Sequence, residues 1–150
     1  MRLRRQKSLL LLALFTLACH DATGPQTVNA RFELQNIDGR PLPTPPAFTP
    51  GMTPTILSSV ITLDQSGTAS FTEHRTEWNG VDAVYQWTYT YKIVGDRIAF
   101  EAPPCPPNAI CADPPTGRIF LNRMTLEAGH INSTPILYNY FLIVLPELPH

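Results

Sequence analysis

Glu73, Arg75 and Glu77 occupy alternate positions of one run, and two carboxylates flanking a guanidinium are residue types that can share acid–base work. In an extended strand, neighbours at i,i+2 lie roughly 7 Å apart and those at i,i+4 roughly 13 Å. A glycosidase pair needs carboxyls within about 9.5 Å, so Glu73 and Glu77 cannot form one from a straight strand. A charge ladder on a solvated face, or at the polar mouth of a barrel, accounts for them better; Phe71 on the same face keeps the mouth in view. The histidines, His20, His74, His130 and His150, are scattered without the spacing of metal ligands. No Gly-x-Ser-x-Gly elbow, P-loop or dinucleotide fingerprint occurs in the chain. The expectation is a protein that is not an enzyme, with no catalytic residue, cofactor or metal.

Cys105 and Cys111 enclose the loop Cys105-Pro106-Pro107-Asn108-Ala109-Ile110-Cys111. Two thiols without a nearby histidine make poor zinc ligation, and the spacing is not the Cys-x-x-Cys of a redox pair. A disulfide staple, worth roughly 2 kcal/mol by loop entropy, is the plainer reading. It requires an oxidising compartment.

The amino terminus points to such a compartment. Arg2, Arg4, Arg5 and Lys7 precede an apolar run, Ser8–Ala18, that stops at Cys19. A basic stretch, a short apolar stretch and a small residue before the cut are the parts of a secretory signal. About eleven apolar residues fall well short of the ~20 that span a bilayer. Phe15-Thr16-Leu17-Ala18-Cys19 resembles a bacterial lipobox, with Thr16 where leucine is usual. That resemblance implies cleavage after Ala18, acylation of Cys19 and a membrane anchor; the absence of Asp directly after the cysteine leans towards the outer membrane. The chain then divides into a signal peptide (1–18), a small and polar tether (19–29) and a single domain (30–146). Without the leader, seven basic side chains face twelve acidic ones, a net of −5. Nucleic acid is excluded as a partner, because its backbone demands clustered Lys and Arg.

From Ala30 onwards no dozen residues keep a helical period free of Pro or Gly. Short runs with period two, bounded by turn dipeptides, predict an all-β fold of about eight strands. The runs are Arg31–Ile37, Ile56–Leu63, Thr68–Trp78, Ala83–Val94, Arg97–Ala102, Thr116–Leu121, Arg123–Glu127 and Ile136–Leu145. Asn79-Gly80 suits a type I′ turn and Gly95-Asp96 a type II′ turn. Residues 40–55 hold six prolines and form a crossing loop, and residues 103–115 form the stapled one. The run Ile136–Leu145 is apolar on both faces near its end, so either it is covered on both sides, by the tether or a proline loop in the preferred reading, or its outer side meets a membrane or a partner.

In the fourth run Tyr85, Trp87, Tyr89, Tyr91 and Ile93 point one way, and Gln86, Thr88, Thr90 and Lys92 the other. The ring-bearing face is either plain core or the lining of a ligand cavity, since an eight-stranded barrel can fill itself or hold one small ligand.

Phe32-Glu33-Leu34 through Asp38-Gly39-Arg40-Pro41-Leu42-Pro43, with Leu63-Asp64-Gln65-Ser66-Gly67-Thr68 and Tyr91–Phe100, resembles small lipocalin-like bacterial lipoproteins. The resemblance covers about residues 30–145. It implies an antiparallel up-and-down barrel, anchored by lipid in the bacterial cell envelope and facing the periplasm. The Gly-x-Trp start of true lipocalins is absent, and the 103–115 loop is an insertion. The functional expectation is a binding module for a small apolar ligand held against Tyr85, Trp87, Tyr89 and Tyr91. The alternative is a protein-interaction or inhibitor module that presents the 103–115 loop to an envelope protein.

Overall fold

β-branched and aromatic runs cut by turn residues favour strands over helices. The computed structural model describes residues 25–45, 54–107, 111, 113–131 and 134–143, and no helix occurs among them. β1 (Ala30–Ile37) turns into a two-residue β2 (Arg40–Pro41). Then come β3 (Thr55–Leu63), β4 (Thr68–Thr76), β5 (Asp82–Val94), β6 (Arg97–Glu101), β7 (Thr116–Phe120), β8 (Arg123–Ile131) and β9 (Thr134–Leu142). Strands β3 to β9 pair antiparallel in chain order, β1 pairs with β3, and β9 returns to β1 with Leu34 opposite Tyr140. The result is a closed, eight-stranded up-and-down barrel with β2 as an annex to β1. Closure removes free sheet edges only over the height at which all eight strands pair.

Alternation decides what fills the barrel. Phe32 and Leu34 of β1, Ile61 and Leu63 of β3, Ala69 and Phe71 of β4, and Tyr91 and Ile93 of β5 are buried. Ile98 and Phe100 of β6, Met124 and Leu126 of β8, and Ile136 and Tyr140 of β9 join them. Register slips at Gln35 in β1 and Leu57 in β3 bend these strands and keep Ile37 and Ile56 inside.

At one end, the base, lie the turns at Asp64–Gly67, Gly95-Asp96 and Leu121-Asn122. At the other, the mouth, lie the 77–81 hairpin, the stapled loop and the proline-rich crossing loop. Two expectations need correction. The Asn79-Gly80 turn is not type I′: only Gly80 has positive φ, and its N–H donates to the Glu77 carbonyl, so a three-residue loop with Gly80 in the left-handed region joins β4 to β5. Nor does the tether, where it is described, cover β9. Its described part, Pro25–Asn29, crosses the base, where Gln26 pairs with Ile93, and the Arg123 guanidinium lies over the Phe141 ring of β9 at 4.8 Å. The leader, Cys19 and residues 20–24 lie outside the described residues, as do residues 144–146.

Candidate functional site: the open sector of the barrel mouth

β6 is short. It ends at Glu101 opposite Thr90, so Asp82–Tyr89 of β5 have no strand partner on that side among the described residues. β7 begins only at Thr116, opposite Glu127, and the residues of β8 beyond Glu127 likewise lack a partner there. The prolines after Glu101 stop the ladder, because proline has no N–H to donate. Among the described residues the wall therefore has a gap at the mouth, bounded by β5 and β8. Across the mouth, the turn into β2 and Thr44, bridged to Ile56, cover the β1–β3–β9 sector.

The aromatic face of β5 grades into this gap. Ile93 and Tyr91 are buried, Tyr89 and Trp87 half-buried, and Tyr85 is 38% exposed. Phe71 stacks on Trp87 with centroids 5.4 Å apart and meets Tyr89 and Phe100 edge-on, both at 5.3 Å. Those rings form an apolar floor. Tyr91 stands apart at the base, where its hydroxyl donates to the carbonyls of Val28 and Asp64 and accepts from the Val28 N–H. It ties the end of the tether to the barrel.

Above the floor the same inward face carries charge. Opposite Tyr85 in the sheet, Glu73 is buried. Arg75 Nη1 lies 3.4 Å from Glu73 Oε1, and its Nε donates to Glu77 Oε1 at 2.8 Å. The guanidinium lies over the Tyr85 ring at 3.8 Å, and the Tyr85 hydroxyl donates to Glu77 at 2.6 Å. The Glu–Arg–Glu ladder is thus part of the polar mouth and not of a solvated outer face. Burial pushes the Glu73 carboxyl up, against the opposing pull of Arg75. The hydrogen bond from Tyr85, with Arg75 beside it, holds Glu77 below its ordinary value. His74, by contrast, faces outward, 4.0 Å from Asp82.

Tyr138 and Tyr140 of β9 also lie inside the barrel, Tyr138 partly buried and Tyr140 in the core. The Tyr140 hydroxyl shares a 3.2 Å hydrogen bond with Ser59, whereas no hydrogen bond reaches the Tyr138 hydroxyl among the described residues. Burial, then the neighbouring Glu73 and Asp38 carboxylates, push Tyr138 up to about 12, and burial pushes Tyr140 up as well. An unfolded tyrosine ionises near pH 10. Between pH 10 and 12 the unfolded chain therefore sheds this proton while the folded chain keeps it, and stability falls as pH rises. Urea melts across that window should show Tyr138→Phe losing less stability than wild type, by about 1.4 kcal/mol per pH unit at the steepest. Equal slopes would mean that Tyr138 titrates freely.

The stapled loop stands beside this opening. Cys105 and Cys111 are bonded, with Cα atoms 6.0 Å apart, and Ala102–Pro107, Cys111 and Asp113 are exposed. A separate concavity of about 420 Å³ lies over β4 and β5; four of its lining residues, Ser70, Thr72, Gln86 and Thr88, belong to the outward face. No group of three potential metal ligands occurs among the described residues.

The sequence brought forward Tyr85, Trp87, Tyr89 and Tyr91; the fold places the first three at the gap and Tyr91 away from them at the base. Ser59, Tyr138 and Glu73 join them from other strands. For Glu73 the signal was its phase with Phe71.

Fold and site together define a closed eight-stranded antiparallel barrel with an aromatic floor and one open, charged sector at its mouth. Compared with protein-family models, curated proteins and solved structures, the chain has no significant match.

Proposed function

We propose that this protein is a lipid-anchored barrel of the bacterial cell envelope, held through Cys19 in the outer membrane and facing the periplasm. It acts as a non-enzymatic binding module for a small, mainly apolar ligand. It resembles the lipocalin-like lipoproteins in the strand-and-turn motifs of residues 30–145. The observation that carries the reading is the gap left by short β6, which opens onto half-buried Trp87 and Tyr89 and exposed Tyr85. Aromatic rings give large apolar contact at low entropic cost, and a few convergent polar groups fix orientation. Arg75, Glu77 and the Tyr138 hydroxyl supply those groups at the rim.

Titration with the neutral dye N-phenyl-1-naphthylamine tests this reading. Saturable enhancement of dye emission is expected, with affinity about tenfold weaker in Trp87→Ala and in Tyr85→Ala, a loss of about 1.4 kcal/mol each. No saturable signal with this dye or a fatty-acid competitor rejects it. The protein-interaction reading has its own support: Trp78, Val81 and Val84 are exposed at the same end of the barrel as the stapled loop, apolar surface suited to a partner. If a partner binds there, Cys105→Ser with Cys111→Ser loses that binding while dye binding stays intact.

A further inference from the structure

The base carries an apolar rim of its own. Phe120 is 70% exposed and Leu121 82%, at the tip of the β7–β8 turn. Val94 and Leu142 are exposed in the neighbouring strand ends; the Ile119 N–H donates to the Asp96 carbonyl and the Leu142 N–H to that of Asn122, which draws these segments together. Leu121 has φ +55°, a left-handed conformation that glycine or asparagine adopts at little cost and leucine does not. A large apolar residue held in a costly conformation and turned to solvent serves neither packing nor turn chemistry.

Charge is divided between the two ends as well. Arg31, Lys92, Arg97, Arg118 and Arg123 are exposed on the base half, against Glu33, Asp64 and Asp96. Towards the mouth Asp38, Glu73, Glu77, Asp82, Glu101, Asp113 and Glu127 stand against Arg40 and Arg75, and Glu101 also meets Lys92 of the base half at 2.9 Å. Among the described residues the base half is net +2 and the mouth half net −5.

The chain enters at the base, where Gln26 pairs with Ile93 beside Val94. Six residues, 20–25, separate the anchor cysteine from that pairing, and the seven Cα steps from Cys19 to Gln26 span at most about 25 Å fully extended. We infer that the base docks on an anionic lipid surface, with Phe120 and Leu121 dipping into the headgroup boundary and the basic side chains around them. The inference rests on the envelope-anchored reading for bringing the base near a bilayer. Apolar insertion combined with basic residues at the headgroups is a recognised physical route to peripheral membrane contact. It turns the mouth, with its gap, away from the membrane.

The test uses the full chain, expressed with its leader and reconstituted into phosphatidylglycerol vesicles containing phosphatidylcholine brominated on its acyl chains. Phe120→Trp puts a reporter at the turn; the parent protein reports from Trp78 and Trp87 at the mouth. The added emission of Phe120→Trp should be mostly lost in brominated vesicles, with that of the parent unchanged. Two results overturn the inference: no quenching of the new tryptophan in vesicle-bound protein, or equal quenching of the parent, which would put the mouth at the bilayer. Radiolabelled palmitate incorporation in wild type and Cys19→Ser reads the anchor separately. Absent label with position 120 still quenched would reject the anchor and keep the docking face; label without quenching would do the reverse.

Discussion

Gly117→Ala should lower stability by about 3 kcal/mol or more, and the melting temperature by about 10 °C, with no change in net charge or exposed chemistry. Gly117 sits on β7 opposite Leu126 of β8 and Ile98 of β6, with its φ in the ordinary range. Glycine is required there for space. A methyl group at that position would overlap the Thr125 carbonyl oxygen and approach the Leu126 Cα to 3.0 Å and its Cδ2 to 2.8 Å. A flexible side chain could swing aside, but a backbone carbonyl in a ladder cannot. β7 must then separate from β8, and with only five residues it has few hydrogen bonds to hold it. The effect should appear as early exchange of the β7 and β8 amides. A melt within 2–3 °C of wild type (less than about 1 kcal/mol) would show that the strands can part cheaply.

Much of this fold was legible because each strand is bounded by turn chemistry. Asp38-Gly39, Gly67, Gly80 and Gly95 all adopt positive φ where the chain reverses, and the eight runs between turns became the eight barrel strands with ends shifted by a few residues. The bulges at Gln35 and Leu57 left no signal, because an extra residue of ordinary type changes register without changing composition, whereas the bulge in β8 between Glu127 and His130 is marked by Gly129 at φ +78°. The path of Pro25–Asn29 was hidden for another reason. Its grip on the base comes from backbone bonds between Gln26 and Ile93, from the Tyr91 hydroxyl on Val28, and from Thr27 and Asn29 side chains that bond the Gln65 backbone, partners too distant in sequence for local pattern to reveal.

The site was half legible. Rings at every second position of β5 declare an inward face, and that face is inward. How far it opens depends on where β6 stops, a tertiary fact announced only by the prolines after Glu101. Glu73 reads as surface under any rule that puts charge outside, yet it is buried beside Tyr85 and Arg75 because the inner face of a barrel turns polar near its mouth. Leu121 is the clearest conflict between local preference and observed backbone. Such conflicts are where function is worth seeking.

Phe71→Ala should cost about 3–5 kcal/mol, a large part of the 5–15 kcal/mol that stabilises an ordinary domain. Phe71 is 4% exposed and touches Trp87, Tyr89 and Phe100, so it is the ring that joins the β4, β5 and β6 contributions to the floor. The cost depends on whether neighbours can collapse into the space left. Here they cannot collapse far: β4 and β5 stay in continuous register from Thr68 opposite Thr90 to Thr76 opposite Asp82, which fixes the spacing of their inward side chains. Phe71→Leu fills most of the volume and should cost less than half as much, but it removes the stacking surface under Trp87. Urea unfolding should therefore give a lower midpoint and an unchanged m-value for Phe71→Ala. Phe71→Leu should keep most of the stability while weakening dye binding, because a ligand lying on Trp87 needs that indole held flat. If Phe71→Leu leaves dye affinity untouched, the floor is core alone and the ligand surface lies nearer Tyr85.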